Sequence, residues 1–322
     1  MIKIVSTYTL DDNLMARIKE KFGDGIEVVK IKEFDNATGE EKRFLKEAEV
    51  LLFNKLEAKV EDFDEMENLK WIQCVFSGIN HLPLKYLEDR GIILTNARGV
   101  HRIQMSEYAM GLLLMIVRRS AHYVEAQKNR KWDPVKIDEL YGKTVGFIGV
   151  GAVAREIARK LKAFDVRIIG VKNTVEPVEN FDEVYGTEQL DTLLEQSDFV
   201  VTLVPLTDDT YKMIGEEQFK KMKKTAWFIN IARGDVVDEA AMVKTLKEGR
   251  IAGAALDVFE KEPLPEDSPL WGMENVILTP HIAGPTPHYM DRLMDIFITN
   301  LESFGKGERE KMINVIDYGR QY

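Results

Sequence analysis

The chain holds a single cysteine, Cys74, in 322 residues, so no intrachain disulfide can form and a cysteine-rich metal site is excluded. Cys74 lies in the apolar run 71–76, where a small buried side chain is expected. Basic residues do not predominate either: 44 Lys and Arg stand against 54 Asp and Glu, a formal charge of −10. That balance argues against a nucleic-acid or anionic-membrane binder. No apolar run is long enough to span a bilayer; the longest, 110–117, ends at Arg118 and Arg119. The opening Met1-Ile2-Lys3-Ile4-Val5 reads as a strand and not as a targeting segment. A cytoplasmic protein without membrane, nucleic-acid or metal partners is expected. Repeats and low-complexity linkers are absent. What remains is ordinary globular material, 45% apolar and 30% charged, with the length of two domains.

Strand and helix patterns alternate in two stretches. In the first, strand candidates lie at 2–6, 28–31, 50–53, 71–76 and 92–96. Leu14, Met15, Ile18 and Phe22 sit at helical spacing between the first two. In the second, six strand candidates (144–148, 166–171, 199–204, 227–231, 254–258 and 276–278) alternate with helix candidates. This rhythm predicts parallel sheets covered on both faces, the second with the size of a doubly wound dinucleotide domain. One long helix is expected over 104–128. An amphipathic helix is expected over 290–304, with Leu293, Ile296, Phe297, Leu301 and Phe304 on one face.

The first strand of the second stretch runs into Gly149-Val150-Gly151-Ala152-Val153-Ala154, a G-x-G-x-x-A between a strand and a helix. Gly149 permits the tight turn, Gly151 lets a pyrophosphate approach the backbone, and Ala154 suits close helix–strand packing. The free N–H groups of Ala152 and Val153 at the helix start favour phosphate. The next strand ends at Lys172-Asn173-Thr174, and no carboxylate follows until Glu176. A carboxylate there would bind the ribose 2′-hydroxyl of NAD, whereas a cation and two donors suit a 2′-phosphate. NADP is therefore expected over NAD.

Three later strand ends carry Arg233, Glu262 and His281. In open α/β sheets the ligand crevice lies beyond the carboxyl ends of the strands, so these residues can converge. A guanidinium clamps a carboxylate and polarises a neighbouring carbonyl. An imidazole moves a proton near neutral pH, and a carboxylate beside it orients it and favours its cation. Beside a nicotinamide, the set suits hydride transfer to the C2 carbonyl of a 2-keto acid.

At these residues the sequence resembles the D-isomer-specific 2-hydroxyacid dehydrogenase family, and in cofactor flavour its hydroxypyruvate and glyoxylate reductases. The resemblance implies two doubly wound domains, a Rossmann cofactor domain (101–287) inserted into a smaller flavodoxin-like substrate domain (1–100 and 288–322). It implies Arg233 as the substrate-binding arginine, Glu262 as the histidine's partner and His281 as the acid/base that also touches substrate. Asp257 resembles the acidic residue near the nicotinamide amide. Pro205-Leu206-Thr207 resembles the loop passing the adenosine, with Thr210 and Ala232 as further cofactor contacts. Phe76-Ser77-Gly78-Ile79-Asn80 resembles the loop whose backbone amides hold the substrate carboxylate, which makes Ser77, Gly78 and Ile79 substrate candidates. A homodimer through the cofactor domain is implied. His101 is a further candidate for the substrate pocket; Tyr108 is expected only to pack. The alternative is a cofactor-sensing binding protein like the corepressors that share this fold. Those retain the Arg–Glu–His set, so the set alone does not separate the two.

Overall fold

Short β-branched runs buried on both faces pair in parallel because helices occupy the connections between them. The structure is a computed structural model and describes residues 1–55, 58–79 and 82–319. The chain divides into two compact units, one formed by Met1–Val100 with the chain from Pro287 onward, the other by His101–Thr286.

In the first unit the order is β1 (Ile2–Ser6), α1 (Asp12–Phe22), β2 (Ile26–Lys30), α2 (Gly39–Glu47), β3 (Val50–Phe53), α3 (Glu61–Asp64), β4 (Trp71–Cys74), α4 (Leu84–Asp89) and β5 (Ile93–Thr95). The strands form one parallel sheet in the order β2-β1-β3-β4-β5. Local chemistry starts the helices. The Asp11 carboxylate accepts the Leu14 N–H at 2.9 Å, and Thr38 and Glu41 form a reciprocal capping box at α2. Cys74 is buried, and burial pushes its thiol up to about 11.

The second unit runs α5 (Arg102–Val117), α6 (Ser120–Lys128), β6 (Thr144–Ile148), α7 (Ala152–Leu161), β7 (Arg167–Val171), β8 (Glu183–Tyr185), α8 (Leu190–Gln196), β9 (Phe199–Thr202), α9 (Glu216–Lys221), β10 (Trp227–Asn230), α10 (Glu239–Lys247), β11 (Gly253–Leu256) and β12 (Val276–Leu278). Its seven strands are parallel in the order β12-β11-β10-β9-β6-β7-β8. Both units are thus parallel-sheet α/β folds, as the alternation predicts.

Two details differ from the sequence reading. The sheet has a seventh strand, β8, a three-residue edge strand whose half-exposed residues carry no long apolar signal. The expected single helix over 104–128 is two helices. Arg119 at their junction adopts φ +53°, a left-handed conformation that no helix continues through. The apolar surface of α5 is largely used inside its own unit: Ala109, Leu112, Leu113 and Ile116 are buried with Ala154, Ile157, Ala158 and Leu161 of α7.

The chain closes with α11 (Tyr289–Gly305) in the first unit. Its Leu293, Phe297 and Leu301 are buried with Val50, Leu52 and Trp71, and the Phe297 ring stacks on Trp71 with centroids 5.3 Å apart. Among the described residues, no helix is long and apolar enough to cross a membrane, and no cluster of His, Cys, Asp and Glu could hold a metal ion.

Candidate active site

Strand register sets the site. Across the second sheet, Val171 pairs with Ile148, Ile148 with Thr202, Thr202 with Asn230, Asn230 with Leu256 and Leu256 with Leu278. These residues end their strands level with one another. The expected cofactor and catalytic residues of this unit therefore emerge from one edge: Gly149 after β6, Lys172 after β7, Pro205 after β9, Ala232 and Arg233 after β10, Asp257 after β11 and His281 after β12.

At β6 the backbone leaves no alternative to glycine. Gly149 has φ +96°, and a Cβ there would lie 2.9 Å from Val204 Cγ1. Gly151 is the N-cap of α7, with no side-chain cap and open space where a Cβ would stand. The N–H groups of Ala152 and Val153 at this helix start thus face the edge without side chains in the way, which fits a dinucleotide's pyrophosphate.

At β7 the expected phosphate-binding cation already has a partner. Lys172 Nζ donates to Glu176 Oε1 at 2.6 Å, and Arg155 Nη2 lies 3.9 Å from the same oxygen. The hydrogen bond from Lys172 is the main cause that holds the Glu176 carboxyl below its ordinary value. Asn173 and Thr174 are exposed. The Thr210 hydroxyl accepts the Thr207 N–H at 2.8 Å and donates to the Pro205 carbonyl at 2.6 Å, so it shapes its own loop.

The structure brings His281 and Glu262 together. His281 Nδ1 lies 2.7 Å from Glu262 Oε2, while Oε1 of the same carboxylate accepts the Phe259 N–H at 3.0 Å. Both carboxylate oxygens are thereby fixed. Arg233 reaches the same edge but hydrogen-bonds neither residue among the described residues; its Nη1 donates to the Ala232 carbonyl at 2.7 Å. The Asn230 amide brackets this turn, accepting the Ala232 N–H at 3.0 Å and donating to the Arg233 carbonyl at 2.9 Å. The next residue must be glycine, because a Cβ on Gly234 would lie 1.9 Å from the Phe259 carbonyl. That close approach sets the Arg233 turn against the loop carrying Glu262.

Asp257 is buried, and its carboxylate is occupied by the His281 turn. Oδ1 accepts the Ile282 N–H and the Thr279 hydroxyl, and Oδ2 accepts the Ala283 N–H. His101 is held by the Gly284 carbonyl at 3.3 Å and by Gln104 at 3.1 Å. Burial lowers its basicity, and the nearby Arg233 charge adds to this against the opposing Gly284 bond. Sequence reasoning misses Asn230 and Thr279, whose bonds to the Arg233 turn and to Asp257 depend on how the strand ends are brought together.

In the first unit, Ser77 follows β4, donating to the Ala97 carbonyl at 3.1 Å, and its own carbonyl accepts from Asn96 at 2.7 Å. Gly78 is exposed. Ile79 is buried in the core, and its carbonyl accepts the Leu82 N–H at 3.0 Å. Asn80 lies outside the described residues.

Residues 110–283 match the family described as D-isomer specific 2-hydroxyacid dehydrogenase, NAD binding domain. Over 274 residues the chain is 43% identical to a glyoxylate reductase of Thermofilum pendens, covering 80% of this chain and 78% of that one. A glyoxylate reductase of Korarchaeum cryptofilum is 40% identical over 266 residues, covering 80% and 79%. Among solved structures it is similar to an NADPH-dependent glyoxylate/hydroxypyruvate reductase from Sinorhizobium meliloti in complex with NADP and sulfate, at 26% identity and TM-score 0.81 over 100% of both chains. A probable 2-hydroxyacid dehydrogenase from Rhizobium etli in complex with NADP is similar at 28% identity and TM-score 0.80, over 100% of this chain and 99% of that one.

Proposed function

Because the chain belongs to the D-isomer-specific 2-hydroxyacid dehydrogenase family, we propose that it reduces a small 2-keto acid of the glyoxylate or hydroxypyruvate kind to the D-2-hydroxy acid, and runs the reverse oxidation. It is an NAD(P)-dependent oxidoreductase. The observation that carries the site assignment is the His281–Glu262 pair at 2.7 Å on the edge where the glycine turn also emerges.

When bound, the reduced nicotinamide supplies a hydride to the C2 carbonyl carbon. His281 gives its proton to the carbonyl oxygen as negative charge develops there, and takes it back in the oxidation. Glu262 holds the imidazole with Nδ1 toward itself, which leaves Nε2 as the proton-transferring atom. Arg233 clamps the substrate carboxylate and polarises the carbonyl beside it. Ser77, Gly78 and Ile79 are the proposed backbone contacts to that carboxylate. Gly149, Gly151, Ala152 and Val153 hold the pyrophosphate, with Pro205, Thr210, Ala232 and Asp257 completing the cofactor contacts.

NADP is the proposed cofactor. Lys172, Asn173 and Thr174 offer no carboxylate to a ribose, and two structural relatives carry NADP. Glu176 complicates this, because a 2′-phosphate must displace it from Lys172. A homodimer through the cofactor unit is proposed too, in keeping with the exposed apolar side chains Tyr123, Val124, Trp132 and Tyr141 that follow α5. The corepressor-like sensor is not favoured, since the two curated relatives above are named as glyoxylate reductases.

The test is a reduction screen of glyoxylate, hydroxypyruvate and pyruvate with NADPH and NADH, with product chirality read out. Turnover to a D-product supports the reading. Tight cofactor binding without turnover on any 2-keto acid contradicts it.

A further inference from the structure

His281 is held at φ +52°, in the left-handed region that a residue with a side chain seldom adopts. Such a conformation persists only where its surroundings over-determine it. Here they do so through Asp257. Its carbonyl accepts the His281 N–H at 2.9 Å, and its carboxylate accepts the Ile282 and Ala283 N–H groups, each at 2.9 Å. Three consecutive amides of the turn thus converge on one buried residue.

A buried carboxylate is costly unless donors surround it. The Thr279 hydroxyl supplies one, donating to Oδ1 at 2.7 Å. Its single proton is then committed, so its oxygen accepts the hydrogen bond that joins it to the Tyr108 hydroxyl. That hydroxyl also lies 3.4 Å from Asp257 Oδ1. Tyr108 stands on α5, far from this turn in sequence.

We propose that Tyr108 and Thr279 are positioning residues for the proton-transferring histidine: with Asp257 they form a hydroxyl–carboxylate latch that holds the turn carrying His281. This rests on the reading of His281 as acid/base. The latch touches no reacting atom; it fixes the direction from which the imidazole meets the carbonyl oxygen. Burial pushes the Tyr108 phenol up to about 12, so it stays a donor at neutral pH.

The test uses the full chain with glyoxylate and NADPH. Thr279→Val keeps the side-chain shape and removes the hydroxyl; Thr279→Ser keeps the hydroxyl; Tyr108→Phe keeps the ring. Small misplacement of a reacting group lowers rate by up to about 100-fold. Thr279→Val is therefore expected to lower kcat about 10- to 100-fold, with glyoxylate KM changed far less. Thr279→Ser should restore most of the rate, and Tyr108→Phe should lower kcat in the same direction. If Thr279→Val fails to fold, Tyr108→Phe alone carries the test. His281→Ala is run beside them. Normal kcat in Tyr108→Phe and in any folded Thr279→Val, with His281→Ala inactive, overturns the latch and leaves the acid/base reading standing. An active His281→Ala overturns that reading instead, and the latch with it.

Discussion

His281 Nδ1 and Glu262 Oε2 lie 2.7 Å apart across two loops, at positions 19 apart in sequence. A carboxylate at this distance orients the ring and sets which nitrogen is left for proton transfer. In the proposed reaction that ring gives the proton. In Glu262→Gln the neutral amide keeps the shape and removes the charge. We expect kcat/KM for glyoxylate to drop about tenfold or more, within the range of acid–base effects. Steady-state glyoxylate kinetics of both proteins check this; equal kcat/KM would contradict the pairing.

The Lys172–Glu176 ion pair bears on cofactor choice. It is partly exposed, so solvent screens it and its strength is modest. Removing the carboxylate in Glu176→Gln frees Lys172 for a 2′-phosphate. The expected result is a rise of about two- to fivefold in kcat/KM for NADPH, with NADH little changed. Lys172→Ala should lower the NADPH value instead. Equal effects on both cofactors would remove Lys172 from the phosphate site.

Tyr108, Tyr289 and Tyr318 are each pushed up to about 12, mainly by burial. An unfolded chain releases these protons near pH ~10. Between about 10 and 12 the folded state therefore holds more protons than the unfolded one, and stability falls as pH rises. It is complete below pH ~10 and lost as pH passes about 12. Denaturant unfolding at stepped alkaline pH, read beside tyrosinate absorbance, checks the sign; stability that stays flat over this range would refute it.

Phe297 ties α11 to the first sheet by stacking on buried Trp71. Phe297→Ala removes a fully buried ring from a close-packed core, and should cost about 3–5 kcal/mol. Urea unfolding monitored by tryptophan fluorescence measures it. A loss below about 1 kcal/mol would mean that α11 contributes little there.

Much of this was legible because it is local in sequence. Gly149-x-Gly151 between an apolar run and a helical pattern needs no tertiary information, and strand ends locate Arg233, Glu262 and His281 once the sheet is parallel. What escaped depends on partners distant in the chain or on single dihedral angles. The break at Arg119 is one residue with positive φ just past the apolar run 110–117, where neither glycine nor proline marks it. Strand β8 is too short to show a period. Lys172 looked available as a cation because nothing in sequence shows that Glu176 folds back onto it. Tyr108 resembled packing because its partner, Thr279, is set by register at the far side of the unit's sequence.

The central claim is that His281 supplies the proton while the glycine turn holds the cofactor independently. Steady-state glyoxylate reduction by His281→Ala, with NADPH affinity measured by fluorescence titration on the same preparation, separates the two. The account predicts kcat lowered about 10²- to 10⁴-fold with cofactor affinity unchanged. Near-normal kcat in a folded, NADPH-binding variant would contradict it.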